Sequence, residues 1–272
     1  MTEEEQYLFD LQGYLVLENV LKPQEVQELN TLLDKYDFWN QEKRGHDSPL
    51  DYHVEDEHFF HVSPPHTWEK PFPQILTHPL VVDHLRNLVG TQFRYDHGQV
   101  LFMRKGSGVM GLHNGGTPWE PLNSYNVKDG VIHTGLTVVS YAITDQGGEH
   151  GGFCAIPGSH KSNFVCPPAF ESLEARGPWL DRLHLKAGSA VIFTEAVSHG
   201  TLPWLADHER RSLMYRYTPG YMAFIGRYRQ DGREEDLEAY PSRSDIAEDD
   251  LSPELSRMLE PPYLWERSDT IG

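Results

Sequence analysis

Between Phe93 and Thr218 the chain is a succession of short runs rich in β-branched and aromatic residues, and nothing else in it limits the fold so strongly. Phe93–Arg104, Val131–Thr144, Arg182–Leu185, Ser189–Thr194 and Arg211–Thr218 read as strands, separated by Gly- and Asp-bearing turns. Helical patterns precede them, so the expected class is mainly β with flanking helices, in the form of a double-stranded β-helix, a two-sheet jelly roll. A length of 272 residues is ample for one core. One domain over 1–272 is therefore expected: a helical N-terminal part over 1–90, a jelly-roll core over 91–220 and a C-terminal extension over 221–272.

Within the N-terminal part, Gly13–Glu18 reads as a strand. A helix should begin near Pro23, with Val26, Leu29, Leu32, Leu33 and Tyr36 along one face. Another should span Pro79 to Val89, opened by Pro79 and stopped by Gly90. From Phe38 to Phe72 the chain scatters Trp39, Phe59, Phe60 and Trp68 among His46, His53, His58, His61 and His66. A substrate-covering loop and an irregular solvated excursion are both open for that stretch. Near the end, Arg229–Glu238 and Ser242–Asp250 are too charged to bury much surface. A last helix is expected over Ser252–Leu259, and the segment Pro261–Trp265 is open as core packing, as a lid or as a contact in a homodimer.

The charge balance, 23 Lys+Arg against 41 Asp+Glu for a net charge of -18, argues against nucleic acid or an anionic membrane as partner. Two cysteines, Cys154 and Cys166, are too few for a disulfide framework, which makes a reduced cytoplasmic setting the expectation. No apolar run reaches membrane-spanning length, and the acidic Glu3-Glu4-Glu5 start is unlike a signal peptide. A neutral or cationic small molecule fits this acidity better than a polyanion.

Chemistry concentrates around Gly111-Leu112-His113-Asn114-Gly115-Gly116-Thr117-Pro118. Downstream follow Thr144 to Phe153 with Gly147, Gly148, Gly151 and Gly152, then Ile156-Pro157-Gly158-Ser159-His160-Lys161, then His199-Gly200-Thr201 with Arg210 eleven positions on. This order resembles the phytanoyl-CoA dioxygenase family of Fe(II)/2-oxoglutarate oxygenases, whose jelly roll is cupin-like. The resemblance runs over roughly residues 7 to 220 and implies Fe(II) and 2-oxoglutarate as cofactors. It implies His113 and His199 as iron ligands, Arg210 as the anchor of the far 2-oxoglutarate carboxylate and Thr201 as a hydroxyl donor to the same cosubstrate. Gln99, on the strand before His113, is a further candidate donor. A guanidinium fork suits a carboxylate because it binds bidentately in one plane. Strand alternation sends the adjacent Arg211 to the opposite face, as a surface or ion-pair residue. His160 is expected to bond locally at its turn, and Cys154 to be a small buried hydrophobe.

One departure from the family stands out. A facial triad needs two histidines and a carboxylate, and two residues after His113, where the family has its acid, stands Gly115. Three outcomes are open. Gly115 could mark an open coordination position for chloride, as in the similar His-x-Gly non-haem iron halogenases. A carboxylate from elsewhere, such as Glu120, Asp129 or Glu149, could fill the position in a hydroxylase. The chain could also be a non-catalytic jelly-roll binding protein, which the joint presence of His113, His199, Thr201 and Arg210 argues against. Trp119, Tyr125, Tyr141 and Trp204 are candidates for a small-molecule pocket, with core packing as the equal alternative.

Overall fold

Side-chain alternation along the long strands sets the layering. The computed structural model describes residues 1–40, 51–224 and 241–262. In chain order the elements are α1 (Glu3–Gln12), β1 (Tyr14–Leu17), α2 (Pro23–Tyr36), β2 (Asp51–Asp56), β3 (Phe59–Ser63), α3 (Phe72–Ile75), α4 (Pro79–Leu88), β4 (Phe93–Met103) and β5 (Met110–His113). There follow β6 (Tyr125–Lys128), β7 (Val131–Thr134), β8 (Thr137–Ala142), β9 (Gly152–Ala155), α5 (Pro168–Glu171), β10 (Asp181–Arg182), β11 (Ala190–Thr194), β12 (His199–Leu202), β13 (Arg210–Pro219) and α6 (Pro253–Met258). Seven strands form a major sheet in the order β1-β11-β8-β13-β4-β3-β2, and four form a minor sheet in the order β10-β9-β12-β5.

Along β4 and β13, Val100, Phe102, Leu213 and Tyr215 enter one apolar cluster while Leu101, Met103 and Met214 enter another. The first cluster lies between the major sheet and the helices, where Leu29 and Leu33 of α2, Val81, Val82, Leu85 and Leu88 of α4, and Leu255 and Met258 of α6 cover the strands. The second fills the space between the sheets, with Phe153 and Ala155 of β9 facing Val191 and Phe193 of β11. Burying each large apolar side chain contributes roughly 1.5–3 kcal/mol, so two continuous clusters hold the major sheet from both faces. Because alternation has a period of two, Arg210, Ser212, Met214 and Arg216 share the inward face of β13, while Arg211 turns toward α2 and meets Asp34 and Glu209.

The sequence pattern matches most of the long elements to within a residue or two and misses several short ones. Val131–Thr144 is two strands, because the chain passes Leu122 at Gly135 so closely that a Cβ would stand 2.2 Å from the Leu122 carbonyl oxygen. Residues 51–63 form a hairpin, β2–β3, on the edge of the major sheet instead of a loop, and Phe59 and Phe60 are fully buried there. α1 carries no broad apolar stripe, burying only Phe9, and is set by a capping box between Thr2 and Glu5. Ile246 is buried in the helix-side cluster, against the expectation of a solvated 242–250 segment. Ser252 caps α6 as expected, its hydroxyl accepting from the Leu255 N–H at 3.1 Å. His46, Arg229–Glu238 and Tyr263–Trp265 lie outside the described residues. No helix among the described residues is long and apolar enough to cross a membrane.

Candidate metal centre

β5 and β12 are antiparallel neighbours whose register sets His113 directly opposite His199. Their imidazole centroids are 4.1 Å apart. Each ring is oriented from behind. His199 Nδ1 lies 2.8 Å from the Val197 carbonyl oxygen, and His113 Nδ1 lies 3.2 Å from that of Gly111. A backbone carbonyl at Nδ1 fixes the proton there and leaves the Nε2 lone pair of each ring available to a metal. His199 is buried and His113 is exposed, so the pair spans the rim of the inter-sheet space. Burial is the main cause that lowers the pKa of His199 to about 4, with the adjacent His113 adding to it, so the ring is neutral near pH 7.

The third member of the cluster is Glu195, which the sequence reading did not select. Ligand atoms of His113, Glu195 and His199 all lie within 4.8 Å of one another. Glu195 directly follows β11, its N–H donating to the Leu136 carbonyl, and a tight turn through Ala196 and Val197 delivers the chain to β12. The carboxylate and the distal imidazole thus flank one three-residue connection, residues 196–198, with Glu195 Oε2 3.6 Å from His199 Nε2. Two donors hold the acid: Asn114 Nδ2 reaches Oε2 at 2.8 Å and Arg216 Nε reaches Oε1 at 3.2 Å. Burial would raise the pKa of Glu195, but the nearby charges, those of His199 and His113 when protonated and that of Arg216 throughout, outweigh it and lower it. Asn114 is the middle residue of His113-Asn114-Gly115, so the loop that lacks its own carboxylate grips one from another strand.

Glu120, Asp129 and Glu149, the acids weighed from sequence, are not part of this cluster. Asp129 sits at the β6–β7 turn and Glu149 in a short 3-10 turn at Gly148–His150, while Glu120 lines an outer groove beside His113. Gly115 has a φ of 128° and open space where a Cβ would point. A signal for Glu195 did exist in the sequence: an acid directly after the strand Ala190–Thr194, four residues before the distal histidine.

The expected cosubstrate residues lie further in. Arg210 opens β13 and is fully buried, with Nε donating to Gln146 Oε1 at 2.7 Å and Nη1 at 2.9 Å from Met103 Sδ. Its side chain passes 3.2 Å from where a Cβ on Gly152 would stand. No carboxylate among the described residues is within ion-pair distance of this guanidinium, and burial lowers its pKa from 12.5 to about 10. A buried cation without an anion is costly, and a dicarboxylate is the kind of ligand that would relieve it. Thr201 is also buried, on β12 beside Leu202, which pairs with Gly152. Gln99 lies on the inward face of β4 and lines a separate polar cavity together with His61 and His97. His160 is away from the cluster, its Nε2 3.1 Å from the Asp10 carbonyl oxygen, and Cys154 is buried as expected. Among the aromatic candidates, Tyr141 and Trp204 are core residues, Tyr125 hydrogen-bonds Asp10 and Trp119 is exposed.

A facial set of two histidines and one carboxylate with exposed space on one side is the donor set of non-haem Fe(II) oxygenases, and the residues present fit such a metal. A model of the family described as phytanoyl-CoA dioxygenase matches residues 9–212. The chain belongs to the phytanoyl-CoA dioxygenase family. It is thus an enzyme of the Fe(II)/2-oxoglutarate-dependent oxygenase type. Among solved structures it is similar to HygX from Streptomyces hygroscopicus with nickel, 2-oxoglutarate and hygromycin B bound, at 23% identity over 86% of this chain and 94% of that one, with a TM-score of 0.70. It is also similar to the epimerase SnoN from nogalamycin biosynthesis, at 16% identity over 80% and 83% with a TM-score of 0.59. AviO1 from Streptomyces viridochromogenes Tue57 matches at 17% identity over 79% and 93%, with a TM-score of 0.57. At these identities the likeness is one of fold. No curated protein sequence matches the chain.

Proposed function

We propose that the chain is an Fe(II)/2-oxoglutarate-dependent hydroxylase of a small molecule, in which His113, Glu195 and His199 hold the iron. The observation that carries this reading is the Glu195 carboxylate set beside the two imidazoles, within 4.8 Å of both ligand nitrogens. Arg210 receives the far carboxylate of 2-oxoglutarate, with the Thr201 hydroxyl as a second donor. Iron with chelated 2-oxoglutarate and dioxygen supplies the oxidant for an unactivated C–H bond. The residues' own work is positional. The Val197 and Gly111 carbonyls keep both Nε2 atoms aimed at one point, and Asn114 and Arg216 keep Glu195 ionised and in place. Outer partners of this kind are worth roughly 10–100-fold in metal affinity.

Halogenation was attractive because Gly115 removes the usual carboxylate. With Glu195 in that role, the open position no longer needs a halide, and hydroxylation is favoured. Anaerobic titration of the metal-free chain with Fe(II) and 2-oxoglutarate, followed by the visible charge-transfer band of the chelate, tests both points. Glu195→Ala is expected to weaken Fe(II) binding by about 100-fold or more, taking ligand loss as at least the upper figure for an outer partner, and chloride is expected to leave the wild-type band unchanged. A wild-type band that shifts with chloride and survives Glu195→Ala would restore the halogenase reading.

A further inference from the structure

The turn Pro157-Gly158-Ser159-His160 supplies no ligand to the proposed iron, yet it touches both segments that do. His113 is the last residue of β5 and His199 the first of β12, so their pair closes one end of the β5–β12 ladder. Directly beside that pair the register shifts, and Thr201 faces Met110. Ladder bonds are disrupted at such a step, and a ladder's end is where strands fray. Beyond that end Ser159 takes over. Its Oγ accepts the Ser198 N–H at 2.7 Å and donates to the Ile156 carbonyl at 2.7 Å, while its own carbonyl accepts the Gly116 N–H at 2.8 Å. Ser198 immediately precedes His199, and Gly116 stands three residues after His113. The Ser198 carbonyl in turn accepts the Ile156 N–H at 2.9 Å.

We propose that Ser159 is a positioning residue for the iron site, a clamp that sets the spacing of the two histidine-bearing strands at the end of their ladder. The inference rests on the oxygenase reading for the identity of the metal set. A clamp must itself be fixed, and α1 fixes this one. Gly158, at a φ of 78°, donates its N–H to the Gln12 carbonyl at 3.1 Å, and both Lys161 Nζ and His160 Nε2 meet the Asp10 carbonyl in the last turn of that helix. The loop after His113 is shaped to reach the turn. A Cβ on Gly116 would stand 2.7 Å from the Ser162 carbonyl oxygen and 2.9 Å from that of His160, a closeness that glycine alone allows. Thr117 Oγ1 adds a bond to the Ser162 carbonyl at 2.8 Å. The two glycines after Asn114 therefore differ: Gly115 faces open space, and Gly116 is a docking point. Serine suits the centre of the clamp because one hydroxyl accepts and donates at once, which threonine can also do and alanine cannot. Losing it removes no ligand but frees the two rings to shift relative to one another through their backbones.

Co(II), whose visible bands report coordination geometry, is titrated into the metal-free full chain to test this. Ser159→Ala is expected to bind Co(II) about tenfold more weakly than wild type and to change the band pattern, tenfold being the lower figure for an outer partner because the effect passes through the backbone. Ser159→Thr is expected to restore both, since its added methyl has room in the open groove of about 380 Å³ that Ser159 lines. Thr117→Val removes one bond between loop and turn and leaves the Ser159 hydroxyl in place, so a smaller loss in the same direction is expected. Wild-type affinity and bands in Ser159→Ala, a loss that Ser159→Thr does not reverse, or a lower melting temperature with unchanged bands overturns the inference. Should Ser159→Ala not fold, wild-type Co(II) affinity in Thr117→Val overturns it. A wild-type chain that takes up no Co(II) refutes the metal reading and the clamp with it, whereas wild-type uptake beside an unperturbed Ser159→Ala refutes the clamp alone.

Discussion

Replacing Arg210 by Met should make the metal-free protein more stable and nearly blind to 2-oxoglutarate. A guanidinium whose pKa falls from 12.5 to about 10 holds its charge in the fold at a cost of about 3 kcal/mol. The sign follows from the cation: the cost is fully present below pH 10 and fades only as pH climbs toward 12.5, so it operates at pH 7. Methionine removes that cost and one hydrogen bond to Gln146, worth about 1 kcal/mol, while Gln146 Oε1 keeps the Ser212 hydroxyl at 3.0 Å. The net gain of about 2 kcal/mol raises the melting temperature by about 5 °C for a chain of this size. Losing the guanidinium from a buried carboxylate pair costs about 2–5 kcal/mol, or between about thirty-fold and several-thousand-fold in 2-oxoglutarate affinity. Thermal melting of the metal-free protein and anaerobic 2-oxoglutarate titration in the presence of Fe(II) read the two effects separately. A variant that melts lower than wild type and still forms the charge-transfer band at wild-type concentrations would refute the assignment, because Arg210 would then be a structural cation with a partner.

The neighbouring Arg211→Ala supplies a contrast: it breaks the contacts with Asp34 and Glu209 on the helix side, so stability should fall by about 1–2 kcal/mol while 2-oxoglutarate affinity stays within a factor of two. A loss of affinity comparable to that of Arg210→Met would mean the inward face of β13 has been misassigned. Acid should unfold the metal-free protein early. Burial holds His61, His160 and His199 neutral, with pKa values lowered to about 3, 4 and 4, so the unfolded chain binds more protons as pH falls below 6.5. Three such groups give a slope approaching about 4 kcal/mol of lost stability per pH unit between pH 6 and pH 5. Urea midpoints across that range measure it, and a flat profile would show that these rings are not buried neutral. Iron should protect against the same acidification, since the metal needs His199 unprotonated.

What was legible in the sequence is what local pattern controls. The apolar stripe of α4 with Pro79 and Gly90 at its ends and the β-branched runs that became β4, β11 and β13 lie in contiguous residues, and the structure places them as elements at nearly those bounds; the order of His113, His199, Thr201 and Arg210 was legible through the family resemblance. The opposite faces of Arg210 and Arg211 follow from a period of two once the strand is known. Short elements were less visible. β5, β9 and β12 have four residues each, too few to show a period, and exist because the register of the minor sheet pairs them. Tertiary structure alone decided which carboxylate joins the proposed metal set. Glu195 stands 82 positions after His113, and what brings it beside the ring is the turn from β11 to β12, the cross-strand pair His113–His199 and the grip of Asn114 and Arg216. The sequence showed that the family's carboxylate was missing at Gly115. Only the packing of two sheets could show which distant carboxylate lies beside the two histidines, because that depends on register and on side chains meeting across strands, neither of which is encoded in spacing along the chain.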